Sequence, residues 1–213
     1  EKEVLALGKA VEHLKRPYLA IIGGGKPDKV SLIQSLLRRV DCMVLVGVMA
    51  NTVMAARSIP IGKSKTDPHA IVLAKPFARD KKIILPIDVV VAKGPRSKSC
   101  VKHFQKVGKD DLILDVGPKT IKLIEEKIKQ AKTIYWAGPA GLYEIPAFAS
   151  GTTSIAKQLA RSNKTVIVGG GDSGAVLHSL KLESKITLVS TGGGASIEYL
   201  EGRSLPGIEA LRR

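Results

Sequence analysis

Three junctions in this chain share one design: a short apolar run, three consecutive glycines, then a helical pattern. They read LAIIGGGKPDK (19–29), VIVGGGDSGAV (166–176) and LVSTGGGASIEYL (188–200). Repeated strand, glycine turn and helix leave few architectures open. Near-continuous apolar strands that alternate with helices belong to a parallel sheet covered on both faces. The rest of the chain keeps that rhythm. YLAII precedes DKVSLIQSLLRRV, where Val30, Ile33, Leu37 and Val40 fall on one helix face. CMVLVGV precedes MANTVMAA. DLILDVG precedes PKTIKLIEEKIKQA, with Pro118 suited to a first helical position and Asp115 just before it. TIYW leads through a loop into GTTSIAKQLARS, TVIV precedes DSGAVLHSLK, and ITLVS precedes GASIEYL. The pattern predicts one α/β domain of three αβα layers, Rossmann-like, with a mostly parallel sheet. Residues 1–15 predict an amphipathic helix with Val4, Leu5, Val11 and Leu14 on its apolar side.

With 213 residues, 44% of them hydrophobic, the chain can fill one sizeable core. No apolar stretch approaches the roughly 18 residues of a membrane span, and no secretory leader is visible. The opening on Glu1 rather than Met suggests a piece of something longer. Cys42 and Cys100 lack metal-like or framework spacing, which points to free thiols in a reducing compartment rather than a secreted protein. His13, His69, His103 and His178 show no ligand spacing either. A formal net charge of +15 favours anionic partners without choosing among them. The densest basic stretch, KGPRSKSCVKHFQKVGK (93–109), reads as a solvated loop and helix face. Its only Phe, Tyr or Trp is Phe104, and such residues make up 4% of the chain, which argues against a base-stacking nucleic-acid surface.

In an open parallel sheet, ligands sit beyond the carboxyl ends of the strands, where glycine-rich turns gather. One such turn is a weak signal, because glycine also serves tight turns and close packing. Three at equivalent positions, with Lys26 and Lys29 in the first, point to a shared anion site built from backbone N–H groups. Neither the dinucleotide fingerprint nor the P-loop pattern is present: RSIPIGKS has Arg57 where a P-loop needs its first glycine. Gly171-Asp172-Ser173-Gly174 spells a serine-protease nucleophile signature, but the strand-to-helix setting suits anion binding instead. Asp172 is a carboxylate placed where an anion should sit. Two readings stand: it caps the following helix, or a divalent cation lies between it and a phosphate.

RPYLAIIGGGK, DVGPKT, WAGPAGLYEIPAFASGTTSIAKQLA, VIVGGGDSGAV and VSTGGGASIEYLEGRSLPGIEAL follow, in order, the motifs of phosphoglycerate kinases. The resemblance spans nearly the whole chain and implies the C-terminal, nucleotide-binding lobe of that two-lobed fold. Residues 16–213 would form the lobe, and 1–15 part of the helix joining it to an absent N-terminal lobe that carries the phosphoglycerate site. The family's reaction moves a phosphoryl group reversibly between 1,3-bisphosphoglycerate and ADP, giving 3-phosphoglycerate and ATP in glycolysis, with Mg2+ as cofactor. The resemblance further implies a monomer, in the cytoplasm or a glycolytic organelle. Because closure of two lobes is needed for transfer, the lobe by itself should be inactive.

Roles carry over by position. Lys26 resembles the lysine that neutralises the phosphoryl group in flight, and Lys29 stands near the one on the α-phosphate. Gly192, Gly193 and Gly194 resemble backbone donors aimed at the transferring group, where positioned cations and N–H groups stabilise dispersed charge. Gly170, Gly171 and Ser173 resemble the β-phosphate cradle, and Asp172 the magnesium carboxylate. Glu144 resembles the acid that receives the ribose hydroxyls. Gly24 and Gly25 would floor the adenine slot, Leu114 and Leu142 would wall it, and Gly47 belongs to a glycine run beside it. Departures fall at the base and α-phosphate end. Ala137 replaces an asparagine, Val46 and Val48 replace glycines of the family's triple glycine, and Lys26 and Lys29 lie three rather than four apart. A second reading is therefore a non-catalytic regulatory or scaffolding relative with weakened nucleotide binding.

Overall fold

The computed structural model describes residues 14–25 and 29–190. Six strands, β1 (Tyr18–Ile22), β2 (Cys42–Leu45), β3 (Ile83–Ile84), β7 (Thr133–Ala137), β8 (Thr165–Gly169) and β9 (Leu188–Ser190), form one sheet in the order β3-β2-β1-β7-β8-β9. Every pairing in it is parallel. The helices are α1 (Val30–Leu37), α2 (Gly47–Ala56), α3 (Pro68–Ala74), α4 (Pro118–Gln130), α5 (Ser150–Arg161) and α6 (Gly171–Ser179).

Alternation along β1 shows how the layers arise. Tyr18, Ala20 and Ile22 pack with α1, α2 and α3, whereas Leu19 and Ile21 pack with α4, α5 and α6. Side chains on a strand alternate faces, so a five-residue apolar run feeds both cores at once. The three-layer αβα expectation holds. Val30, Ile33, Leu37 and Val40 are all buried against the first face, as their spacing predicts.

A second sheet departs from the parallel expectation. DLILDVG contributes β6 (Leu112–Val116), which pairs antiparallel with β4 (Asp88–Ala92), and β4 pairs antiparallel with β5 (Cys100–His103). The basic stretch 93–109 is thus a hairpin arm with one 3-10 turn at Phe104–Lys106, not a helix face. Part of its charge is neutralised at the buried Asp111, which receives Lys93 at 3.0 Å and Lys102 at 2.6 Å. Those bonds, Lys102 foremost, and the Gly108 N–H hold the Asp111 carboxyl far below the usual range.

Two aspartates of this ribbon tie it to the main body by capping helices that lie elsewhere. Asp88 of β4 accepts from the N–H groups of Lys119 (3.0 Å) and Thr120 (2.8 Å) at the start of α4. Asp115 of β6 accepts from Gly151 N–H at 2.8 Å, at the start of α5, and from Val116 N–H at 2.8 Å. Asp115 therefore serves α5, not the helix that follows it in sequence; α4 begins behind Gly117, with Pro118 at its first position. Burial pushes the Asp115 carboxyl from its ordinary 3.8 up to about 6, against the pull of its N–H donors. The folded chain then holds a proton that the unfolded chain releases near pH 4. This contribution is complete below about pH 4 and is lost as pH rises through about 6. Asp111 acts in the opposite sense, its contribution being lost as pH falls below about 4. Urea midpoints measured from pH 4 to 6 should fall on this account, and Asp115→Asn should flatten that slope.

Candidate functional site

The order β3-β2-β1-β7-β8-β9 fixes where a ligand can enter. After β1 the chain moves outward through β2 and β3; after β7 it moves the other way through β8 and β9. The loops leaving β1 and β7 thus part company, and a crevice opens between them at the carboxyl ends of the strands. Both loops are held close. Gly23 N–H donates to the Ala137 carbonyl and Gly24 N–H to the Pro139 carbonyl, each at 2.8 Å. Gly24 has φ +109°, and its carbonyl accepts from Val48 N–H at 3.1 Å, which joins the turn to the start of α2.

A cavity of about 190 Å3 lies in that crevice, lined by Gly24, Gly25, Gly47, Val48, Asn51, Lys65, Ile113, Leu114, Pro139, Ala140, Gly141 and Leu142. It includes five residues proposed from the sequence: Gly24, Gly25, Gly47, Leu114 and Leu142. Whole small-molecule sites usually occupy 300–1,000 Å3, so this space suits one planar ring system rather than an entire nucleotide. Leu114 and Leu142 are bound to each other through Leu142 N–H and the Leu114 carbonyl at 2.8 Å. The antiparallel ribbon thus supplies one wall of the slot. Asn51, Lys65, Ile113, Pro139, Ala140 and Gly141 were not foreseen as lining. Of these, Pro139–Gly141 sit in the WAGPAGLYE motif and could have been named from it.

The substituted positions divide. Val48 lines the cavity. Val46 does not: it is fully buried in the core shared with α4, α5 and α6, so its side chain turns away from the slot. Ala137, also buried, ends β7 and packs in the opposite core. Lys29 precedes α1, and its ammonium lies over Gly24, 3.3 Å from where a Cβ would stand. A cation therefore overhangs the cavity floor. Lys26, Gly192, Gly193 and Gly194 lie outside the described residues, as do 1–13 of the predicted opening helix.

Further along the rim, α6 begins behind Gly170, whose φ of +92° only glycine adopts readily. Among the described residues no side chain caps this helix, so its first N–H groups stand at the positive end of the helix dipole without a capping partner there. Among the described residues, a Cβ at Gly170 or Gly171 would meet nothing within 4 Å. Open space and unused donors together make a cradle for an anion. Asp172 lies inside the first turn rather than at the cap, which removes the capping reading. It is exposed and makes no hydrogen bond among the described residues. Ser173 differs: it is fully buried and its Oγ accepts from Gly138 N–H at 2.7 Å. Its hydroxyl joins the β7 loop to α6 and positions the cradle.

Between slot and cradle stands the 141–144 loop. Glu144 is exposed. Burial raises the Tyr143 phenol, and the neighbouring Glu144 and Asp172 carboxylates add to it, so all three groups share one stretch of rim. Among the described residues no cluster of three His, Cys, Asp or Glu side chains could hold a metal alone. A lone exposed carboxylate suits Mg2+ only when phosphate oxygens and waters complete the shell, and the Asp172 setting fits that requirement.

Comparison with known proteins bears on this arrangement. The phosphoglycerate kinase family profile matches residues 1–203. The phosphoglycerate kinases of Dictyoglomus turgidum and Desulfosudis oleivorans are 44% and 41% identical over all of this chain, which covers 56% of each. The structure of phosphoglycerate kinase from Coxiella burnetii superposes with a TM-score of 0.91 at 39% identity, over 99% of this chain and 56% of that one. That from Pyrococcus horikoshii OT3 gives 0.82 at 27% identity, over 99% and 55%. The chain spans just over half the length of these relatives. A crevice at the parting of β1 and β7, bearing the motifs read from the sequence, and matches that run the length of the chain lead to one conclusion: this chain belongs to the phosphoglycerate kinase family.

Proposed function

We propose that residues 16–213 form the nucleotide-binding lobe of a phosphoglycerate kinase and hold Mg-ADP or Mg-ATP along the rim just described. The base enters the 190 Å3 slot between Gly24, Gly47, Leu114 and Leu142. Glu144 receives the ribose hydroxyls, and Lys29 reaches the α-phosphate from above Gly24. The turn at Gly170 and Gly171 cradles the β-phosphate at the start of α6, where N–H groups of the first helical turn donate to its oxygens and Ser173 holds the turn in place. Lys26, Gly192, Gly193 and Gly194 complete the set beside the transferring group. The observation that carries this reading is the slot at the strand switch point, lined by five residues the sequence had put forward.

Asp172 would hold the magnesium ion together with the phosphate oxygens. Bound there, the dication offsets the phosphate charge and orients the diphosphate. The chain's own contribution is placement: backbone donors fixed on a rigid sheet cost no reorganisation when charge develops on the phosphoryl oxygens. The phosphoglycerate side of the reaction belongs to the N-terminal lobe, joined through residues 1–15, so this chain should bind nucleotide as a monomer and show no turnover. A cytoplasmic or glycolytic-organelle location accords with that role.

Calorimetric titration with ADP, with and without Mg2+, tests the proposal. Mg-ADP should bind at sub-millimolar concentration, and Asp172→Asn should weaken Mg-ADP on the order of tenfold while leaving metal-free ADP unchanged or tighter. No heat and no thermal shift at millimolar Mg-ADP would favour the scaffolding reading, to which Val48 in the slot wall lends its one structural support.

A further inference from the structure

Helix α2 ends at a second concave surface, remote from slot and cradle. It starts at Gly47 in the slot and runs ten residues, about 15 Å, towards the amino ends of the strands. There a cavity of about 440 Å3 is lined by Arg57, Ile59, Arg79, Asp80, Lys81 and Ile83. Arg57 follows α2, residues 79–81 precede β3, and Ile83 opens that edge strand. The charge of the lining is unbalanced. Three cations meet one carboxylate, and among the described residues none of the three has an ion pair. The Asp80 carboxylate accepts instead from the Lys82 N–H at 2.8 Å. Arg57 is half-buried, with its Nε fixed on the Ala78 carbonyl at 2.6 Å. That bond uses one of five guanidinium N–H groups and orients the fork. The helix end does not need the others. Carbonyls of Val53, Met54 and Ala55 already accept from the N–H groups of Arg57, Ser58 and Ile59 at 2.9–3.1 Å. Burial, and then the charge of Arg79, pull the Arg57 pKa down, so two guanidinium groups stand close enough to repel.

Like charges gathered in a concavity call for an opposite one. We propose that this cavity is a binding site for a phosphate dianion, free or as the head of a small phosphate ester. Arginine suits that group because two N–H groups of one fork bond two phosphate oxygens at once. Arg57 supplies a pre-oriented fork, and the exposed Arg79 and Lys81 close on the ion from the rim. Ile59 and Ile83 form an apolar border against which the carbon part of an ester can lie. The donors differ from those at the start of α6: side-chain cations here, backbone N–H groups there. The site needs no magnesium, and it stands whether or not the slot holds a nucleotide.

Amide NMR during titration with inorganic phosphate, at constant ionic strength, reads the two places separately. Amides of 57–59 and 79–83 report this cavity, and those of 170–173 the start of α6. Shifts at 57–59 and 79–83 should saturate at millimolar phosphate, and sodium chloride of the same ionic strength should not reproduce them. Arg79→Gln, a change to an exposed side chain, should weaken this binding about tenfold and leave the 170–173 response as in wild type. Arg57→Lys keeps the charge but loses the fork, and should weaken it as well. Glycerol 3-phosphate identifies the source: tighter binding than inorganic phosphate assigns the site to phosphate esters, and equal or weaker binding to the free ion. Shifts at 57–59 and 79–83 that never saturate, that chloride reproduces, or that persist unchanged in either variant would overturn the proposal. A saturating response confined to 170–173 would overturn it too, while leaving the nucleotide reading in place.

Discussion

Gly138→Ala is expected to lower stability by about 3 kcal/mol or more and to abolish nucleotide binding. Gly138 has φ +88°, a conformation that costs an L-residue about 1–2 kcal/mol. A Cβ there would also overlap the Gly23 carbonyl and stand 2.7 Å from the Gly24 nitrogen. Those are backbone atoms of the facing loop and cannot swing aside as a side chain would. Overpacking of this kind adds about 1–3 kcal/mol. Either the two loops part, which opens the slot and breaks the Gly24-to-Pro139 hydrogen bond, or the β7 loop leaves Ser173 and α6. A melting temperature lower by about 10 °C for a chain of this size, with no calorimetric heat from Mg-ADP below the transition, is the expected pair of results. A variant that melts and binds as wild type does would mean the loops are not in the contact described.

Asp88→Ala should be the most damaging change outside the site. Asp88 is 4% exposed, and its two oxygens take the N–H groups of Lys119 and Thr120 and the Thr120 hydroxyl. Gly117 lies against the carboxylate so closely that any Cβ there would strike it. Alanine leaves the N–H groups of Lys119 and Thr120 without these acceptors, the second of them buried. Each such loss costs about 1–3 kcal/mol, so about 3–5 kcal/mol is expected in urea unfolding. Asp88→Asn keeps one acceptor and should fall between. If alanine costs less than 1 kcal/mol, water reaches this junction and the ribbon is not anchored as described.

Legibility followed the range of the interactions. Strands fed by short apolar runs, such as β1, declared themselves because successive residues are buried on opposite faces, Ile21 in one core and its neighbours Ala20 and Ile22 in the other. Helix α1 was readable because Val30, Ile33, Leu37 and Val40 keep the 3.6 period. The three-stranded ribbon was not readable as such: LILDV has the same apolar pattern in a parallel or an antiparallel neighbour, and the choice was made by β4, a run the pattern reading passed over. Helix α3 was also passed over, although Asp67 and Pro68 form a local start signal, with Asp67 accepting from Ala70 N–H at 2.9 Å. Capping of α4 and α5 by Asp88 and Asp115 crosses more than 30 residues, beyond any local signal. At the site, glycines and leucines of the slot could be named by position. Asn51, which also lines the slot, could not, because MANTVMAA reads as ordinary helix.

The ribbon does more than wall the slot. Leu114 touches the slot while its neighbour Asp115 grips the first turn of α5, and Asp88 on the adjoining strand grips α4. A guest wedged against Leu114 therefore presses on a stiff beam pinned at two distant helix roots. Slower amide exchange at Lys119, Thr120 and Gly151 on filling the slot is the signature that such leverage would leave.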